Sequence, residues 1–262
     1  MPPKYQDLEQ GEIGTCYLMS SIAVITSTAP QVLQTVFVNE SNCQDAGISG
    51  LLLYNKRQRI SIVLLDDFLP CGPKKWHADS EQRVQPIFGH TRGCCGKWYV
   101  SLIEKAFAKL EGCYEKIDGG MERYALACLT GGLIKEFNLM ETDLLKERLR
   151  GNLWNIFCGM HSDPTFHHFL TCSIVPGQFK SDQLQGLFTG HAYGILKMVA
   201  VKVGNSMVHL VQLINPYGDD EWKGKYSDER GDITPEMLVQ LGVSQGIVKD
   251  GVFWMEFETD FL

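Results

Sequence analysis

A glycine-punctuated loop runs directly into an apolar helix in the stretch Gln10-Gly11-Glu12-Ile13-Gly14-Thr15-Cys16-Tyr17-Leu18-Met19-Ser20-Ser21-Ile22, and a cysteine stands at the junction. Residues Tyr17 to Ser27 are apolar nearly all round, so they read as a buried helix with Thr15 as its cap. The amides of a first helical turn have no partner inside the helix, and the helix dipole is positive there. A thiol at that place is pushed toward thiolate, its nucleophilic form. Gln10, upstream in the loop, is an uncharged amide donor able to fold back over it. A nucleophile with a donor beside it is half of an acyl-transfer site.

The rest of the chain divides by pattern. Pro30 suits a first helical turn and predicts a second helix to about Val38. Ile60 to Leu65 is a β-branched apolar strand broken by Asp66-Asp67, and residues 71–97 read as irregular loop. Trp98 to Leu110 has helical periodicity, with Leu102, Ile103, Ala106, Phe107 and Leu110 on one face and Gly112 as its stop. Gly131-Gly132 is the best candidate hinge: the chain is mainly helical before it and strand-rich after about residue 170. Tyr193 to Val203 and Met207 to Ile214 flank a Gly204-Asn205-Ser206 turn, a hairpin signal, and Val252 to Phe257 is a further strand. The pattern predicts an α+β chain of two lobes, 1–131 and 132–262, with a cleft between them.

Bulk properties exclude several classes. With 262 residues and 44% hydrophobic content there is material for a large core, and a net charge of −7 leaves no nucleic-acid footprint. No apolar run approaches the length of a membrane span, and the polar start, Met1-Pro2-Pro3-Lys4, carries no secretory pattern. Nine cysteines without such a leader predict free thiols in a reducing, cytoplasmic setting. The short distance from the start to Cys16 suggests a module of a longer chain carrying additional domains.

A thiolate needs a base. His191 stands at the mouth of the first hairpin strand and Asn215 at the end of the second; their midpoint, residue 203, lies beside the predicted turn. Residues equidistant from a turn lie roughly opposite each other in an antiparallel pair. His191 and Asn215 are therefore expected to meet at the open end of the hairpin, where an amide carbonyl would fix the imidazole tautomer. Each residue alone has an ordinary structural reading; together, in the order Gln, Cys, His, Asn, they point to nucleophilic catalysis.

At these residues the chain resembles the protease core of the calpains, papain-like cysteine proteases. The resemblance extends through Leu64-Leu65-Asp66-Asp67-Phe68-Leu69-Pro70, the Leu102 to Glu115 segment, Thr130-Gly131-Gly132, Gly190-His191-Ala192-Tyr193 and Asn215-Pro216-Tyr217-Gly218. It continues through Glu221-Trp222, Ser227-Asp228, Asp250-Gly251 and Phe253-Trp254-Met255. It implies a papain-like two-lobed fold and an intracellular endopeptidase acting on protein substrates. By position Cys16 is the nucleophile, His191 the general base and acid, and Asn215 its orienter; Gln10 and the Cys16 amide form the oxyanion hole. The family also binds one regulatory calcium per lobe, which places Asp7 and Glu104 in the first site and Glu221, Asp228 and Asp250 in the second.

The chain departs from the family pattern at specific positions. Val252 and Tyr5 stand where a glutamate and an arginine usually link the lobes, Thr15 replaces an aspartate, and Tyr17 and Tyr217 replace tryptophans. Two other classes remain as alternatives. A non-catalytic calpain-like binding or calcium-responsive module usually lacks one triad residue, and a transglutaminase-like enzyme typically has aspartate in place of Asn215. Zinc at His90, Cys94 and Cys95, or at His161, His167 and His168, fits no closed four-ligand spacing.

Overall fold

The structure is a computed structural model that describes residues 4–38, 46–57, 59–73, 84–92, 98–177, 184–243 and 250–262. The chain divides into two compact units, Met1–Ile134 and Lys135–Leu262. Gly131 ends a helix just before this division. Its left-handed backbone, φ 66°, lets its amide close on the Ala127 carbonyl, and a Cβ there would lie 2.5 Å from the Tyr54 ring. Only glycine meets both demands.

In the first unit, helix α1 (Cys16–Thr28) buries every residue from Tyr17 to Thr26. It packs against α2 (Pro30–Val36) and against α4 (Glu122–Thr130), with α3 (Tyr99–Glu111) also touching it. The core there includes Leu18, Ile22, Ile25, Leu33, Leu51, Ile103 and Phe107. The unit is less helical than its sequence suggests, for its described residues form three antiparallel two-stranded sheets. These pair β1 (Leu8–Glu9) with β6 (His90–Thr91), β2 (Ile48–Tyr54) with β3 (Ile60–Asp66), and β4 (Cys71–Pro73) with β5 (Val84–Pro86). Strand β2 has no predicted counterpart because its glycine and mixed burial mask the period-two signal. The expected loop over 71–97 thus contains short strands at 71–73, 84–86 and 90–91; residues 74–83 and 93–97 lie outside the described residues.

The described residues of the second unit form a four-stranded antiparallel sheet in the order β10-β9-β8-β7. Its strands are β7 (Thr171–Ser173), β8 (Ala192–Val203), β9 (Ser206–Ile214) and β10 (Val252–Glu256). Helices cover both faces. Trp154 of α6 (Leu153–His161) packs with Tyr193, Leu213, Phe253 and Phe257 on one face. Met237 and Leu241 of α7 (Pro235–Leu241) pack with Val201, Leu210, Tyr226 and Trp254 on the other. Phe253 and Trp254 fall on opposite faces because successive strand side chains alternate. Helix α5 (Thr142–Leu149) precedes α6, and a single π-helical turn, Phe257–Phe261, follows β10. Neither α5 nor α6 was marked by the sequence pattern.

Candidate active site

Cys16 is the first residue of α1 and is half-buried, at the positive end of that helix. The chain before it is held from several sides. The Glu12 amide donates to the Ile87 carbonyl at 2.9 Å, and a Cβ on Gly11 would lie 2.3 Å from the Phe88 backbone, so only glycine allows this approach. The exposed Asp118 accepts from the Gly14 amide at 2.7 Å, and Gly119 donates to the Gly14 carbonyl. Gln10 Nε2 donates to the Ile13 carbonyl at 2.8 Å, a fold-back onto its own loop that spends one of its two N–H groups.

Thr15, the cap residue, does not bond the helix with its side chain. Its hydroxyl donates instead to Glu104 Oε1 at 2.6 Å, while Glu104 Oε2 accepts from the Gly89 amide at 2.6 Å. Ser101 extends the chain by donating to the Gly89 carbonyl. Thr15 and Glu104 are both 0% exposed. Burial pushes the Glu104 carboxyl up, against the two hydrogen bonds that favour its charged form. Sequence reasoning missed this network, although a signal existed. Glu104 falls beside Ile103 and three residues before Phe107 on the buried face of α3, where a carboxylate must find internal donors.

In the second unit, His191 precedes β8 and Asn215 follows β9; both are buried. His191 Nε2 lies 2.7 Å from Asn215 Oδ1. The amide orientation is fixed by its surroundings. Asn215 Nδ2 donates to the Asp219 and Asp220 carbonyls, each at 2.9 Å, and Oδ1 accepts from the Tyr217 amide at 3.0 Å. Oδ1 has no proton to give, so Nε2 carries the ring hydrogen and Nδ1 is left with a free lone pair. The Tyr217 ring lies against the imidazole at a centroid distance of 4.2 Å, with Phe188 and Tyr193 at its edges. Burial lowers the His191 pKa, and the Asn215 bond opposes that shift.

The meeting of these two side chains was expected, but the backbone reaches it differently. The tight turn is Gly204-Asn205, centred beyond residue 203, and a bulge between Ile195 and Lys197 recovers only part of that offset; the last paired residues are Gly194 and Ile214. His191 and Asn215 are therefore not directly opposed as the equidistance argument required. The imidazole and the amide span the offset.

A model of the calpain family cysteine proteases matches residues 3–262. The chain belongs to the calpain family. It is 30% identical to the calpain-type cysteine protease DEK1 of Arabidopsis thaliana over 254 residues, which cover 96% of the chain and 11% of that protein. It is 28% identical to calpain-5 of Mus musculus over 271 residues, covering 96% of the chain and 40% of that protein. It is 30% identical to the calpain-1 catalytic subunit of Mus musculus over 270 residues, covering 98% and 33%. The chain thus spans between 11% and 40% of the length of these relatives. Its helices and sheets are those of a calpain catalytic domain, an α+β papain-like fold.

The carboxylates that calpain resemblance assigns to calcium differ between the units. Glu104 has both oxygens committed to Thr15 and Gly89 and no exposed surface, so it does not fit an ion ligand in this arrangement. Asp7 lies in a short 3₁₀ turn, Tyr5–Asp7, and its carbonyl accepts from the Arg92 amide. In the second unit, burial and the neighbouring Glu221 and Asp250 carboxylates push the Asp228 carboxyl up to about 7. Glu221 Oε1 accepts from the Asp250 and Gly251 amides. The hydroxyl of Ser227, wholly buried, has no hydrogen-bond partner. This hard-oxygen set fits calcium in its chemistry. Among the described residues, no three His, Cys, Asp or Glu side chains converge as a ready-made metal cage. Among the described residues no two cysteines form a disulfide, and no helix is long and apolar enough to cross a membrane.

Proposed function

We propose that this calpain-family chain is the catalytic core of an intracellular endopeptidase that cleaves protein substrates through Cys16, His191, Asn215 and Gln10. The observation that carries the reading is the buried 2.7 Å His191–Asn215 bond, whose amide orientation leaves Nδ1 unprotonated. A base with a free lone pair and a fixed ring is what a thiol nucleophile requires.

The chemistry follows from the named atoms. His191 Nδ1 takes the Cys16 Sγ proton, and the thiolate attacks the carbonyl carbon of the scissile bond, forming a C–S bond. The developing oxyanion is held by the Cys16 amide and by the second Gln10 Nε2–H. His191 then gives its proton to the leaving amine as the C–N bond breaks, leaving a thioester. Water, deprotonated by Nδ1, attacks that thioester; the C–S bond breaks and the carboxylate product leaves with the thiol restored. Tyr217, packed on the imidazole, shields the His191–Asn215 bond from competing water. Calcium, where it binds, would be held by oxygens of Glu221, Asp228 and Asp250 and would neutralise their mutual repulsion. Further domains of a longer protein are part of this reading.

The test is cleavage of a fluorogenic peptide or casein by wild type and Cys16→Ala, with calcium and with chelator. Activity in wild type alone is expected. Equal cleavage by both proteins refutes the nucleophile assignment, and cleavage unchanged by chelator removes calcium from the scheme.

A further inference from the structure

We infer that Glu104 is a positioning residue for the catalytic loop, acting through Thr15 on both Cys16 and Gln10, in place of the calcium-ligand role that resemblance gives it. This rests on the reading of Cys16 as the nucleophile. The link is a continuous buried chain. Helix α3 supplies Ser101 and Glu104; Ser101 holds the Gly89 carbonyl and Glu104 holds the Gly89 amide, so the carboxylate is anchored before it meets the loop. Its other oxygen takes the Thr15 hydroxyl at 2.6 Å. A Cβ on Gly89 would lie 2.6 Å from the end of the Met19 side chain and 3.1 Å from Glu104 Oε2, which shows how closely α1, α3 and the 89 segment are fitted.

Thr15 passes the constraint on in two directions. Its carbonyl accepts from the Leu18 and Met19 amides and so sets the first turn of α1, which begins at Cys16. Its amide donates to the Ile13 carbonyl at 2.8 Å, and that same carbonyl accepts from Gln10 Nε2 at 2.8 Å. One side-chain hydrogen bond therefore orients the nucleophile's backbone amide and the carbonyl that aims Gln10, the two oxyanion donors of the proposed mechanism. A carboxylate is suited to this because it accepts on both oxygens with charge-assisted strength. The Thr15 hydroxyl joins α3 to the loop in this relay, and a conservative exchange there isolates it.

The experiment compares wild type, Thr15→Val, Thr15→Ser and Glu104→Gln. It measures kcat and KM on a fluorogenic peptide, the iodoacetamide alkylation rate at Cys16 by peptide mapping, and the thermal melt. Thr15→Val keeps shape and drops the bond; kcat and the alkylation rate are expected to fall together by about 10- to 100-fold, with KM within about threefold, as for a small misplacement of reacting groups. Thr15→Ser keeps the hydroxyl and is expected to stay within about threefold of wild type on every measure. Glu104→Gln can accept from Gly89 and donate to Thr15, so it is expected to retain activity with an unchanged calcium midpoint. Thr15→Ala replaces Thr15→Val if the latter does not fold.

Wild-type kcat in a folded Thr15→Val protein overturns the inference. So does Thr15→Ser falling as far as Thr15→Val, or a tenfold rise in the calcium midpoint of Glu104→Gln. Wild type that neither cleaves peptide nor alkylates at Cys16 faster than at the exposed Cys113 overturns the catalytic reading itself, and the positioning role with it. Fast wild type with equally fast Thr15→Val overturns the positioning role alone.

Discussion

Removing the Asn215 side chain exposes the proposed site to a quantitative check. Asn215 is 0% exposed and makes four side-chain hydrogen bonds: to His191, to the Tyr217 amide, and to the Asp219 and Asp220 carbonyls. In Asn215→Ala the carbonyls of Asp219 and Asp220 can turn to water, because both residues are exposed. The His191 N–H cannot, because that residue is buried under Tyr217, Phe188 and Tyr193. An orphaned buried donor costs roughly 1–3 kcal/mol, so the expected loss is about 2 to 3 kcal/mol with the Tyr217 amide included. For a unit of this size that lowers Tm by about 10 °C. The decisive measurement is a double-mutant cycle by denaturant unfolding with His191→Ala. Once the imidazole is gone there is no orphan, so Asn215→Ala is expected to cost less in that background, with a coupling energy of about 1–2 kcal/mol. In parallel, kcat is expected to fall by on the order of 100-fold as the imidazole loses its fixed tautomer. A coupling energy within about 0.3 kcal/mol of zero, in variants that keep the native circular dichroism, would refute the inference that this bond fixes the ring.

Other outcomes follow from the same geometry. His191 has a folded-state pKa below its unfolded value, so its contribution to stability is full above about 6.5 and declines as pH falls through the folded pKa; His191→Gln is expected to flatten that acid limb of a stability-against-pH profile, and an unchanged slope contradicts the burial argument. A Cβ at Gly224 would lie 2.0 Å from the Trp222 ring, so Gly224→Ala is expected to destabilise the second unit by roughly 1–3 kcal/mol in denaturant titration, whereas an unaltered midpoint would show that Trp222 has room to move. Millimolar calcium is expected to raise the melting temperature of wild type by several degrees and of Asp228→Asn by much less, since Asp228 faces Glu221 and Asp250; equal gains in both proteins would remove Asp228 from any ion site.

Much of the architecture could be read from local pattern. Helix α1 was legible because an apolar run follows a loop with two glycines, and α3 because its apolar face repeats with helical period and stops at Gly112. The hairpin of β8 and β9 was legible from β-branched runs flanking Gly204-Asn205. Strand β2 was not, because its glycine and mixed burial hide the period of two, and the short strands at 71–73, 84–86 and 90–91 were not, because two- and three-residue pairings are set by what lies beside them rather than by any period of their own. Helices α5 and α6 escaped for a related reason. They are short, and their apolar residues are recruited to one face only by the sheet they cover.

The candidate site divides the same way. The sequence by itself determined the chemical types and their order: a thiol opening a buried helix, an amide donor upstream, and an imidazole and an amide flanking a hairpin. Those are properties of residue identity and of contacts within one hairpin or one turn. Tertiary structure alone decided which end of the Asn215 amide faces His191, because the Asp219 and Asp220 carbonyls take the Nδ2 end and leave Oδ1 to the ring. It alone decided where the turn sets the register, that a bulge recovers part of the offset, and that the side chains close the remaining gap. It alone turned Glu104 inward to Thr15, a residue 89 positions away, since a buried carboxylate takes whatever donors the packing brings and no local rule names them.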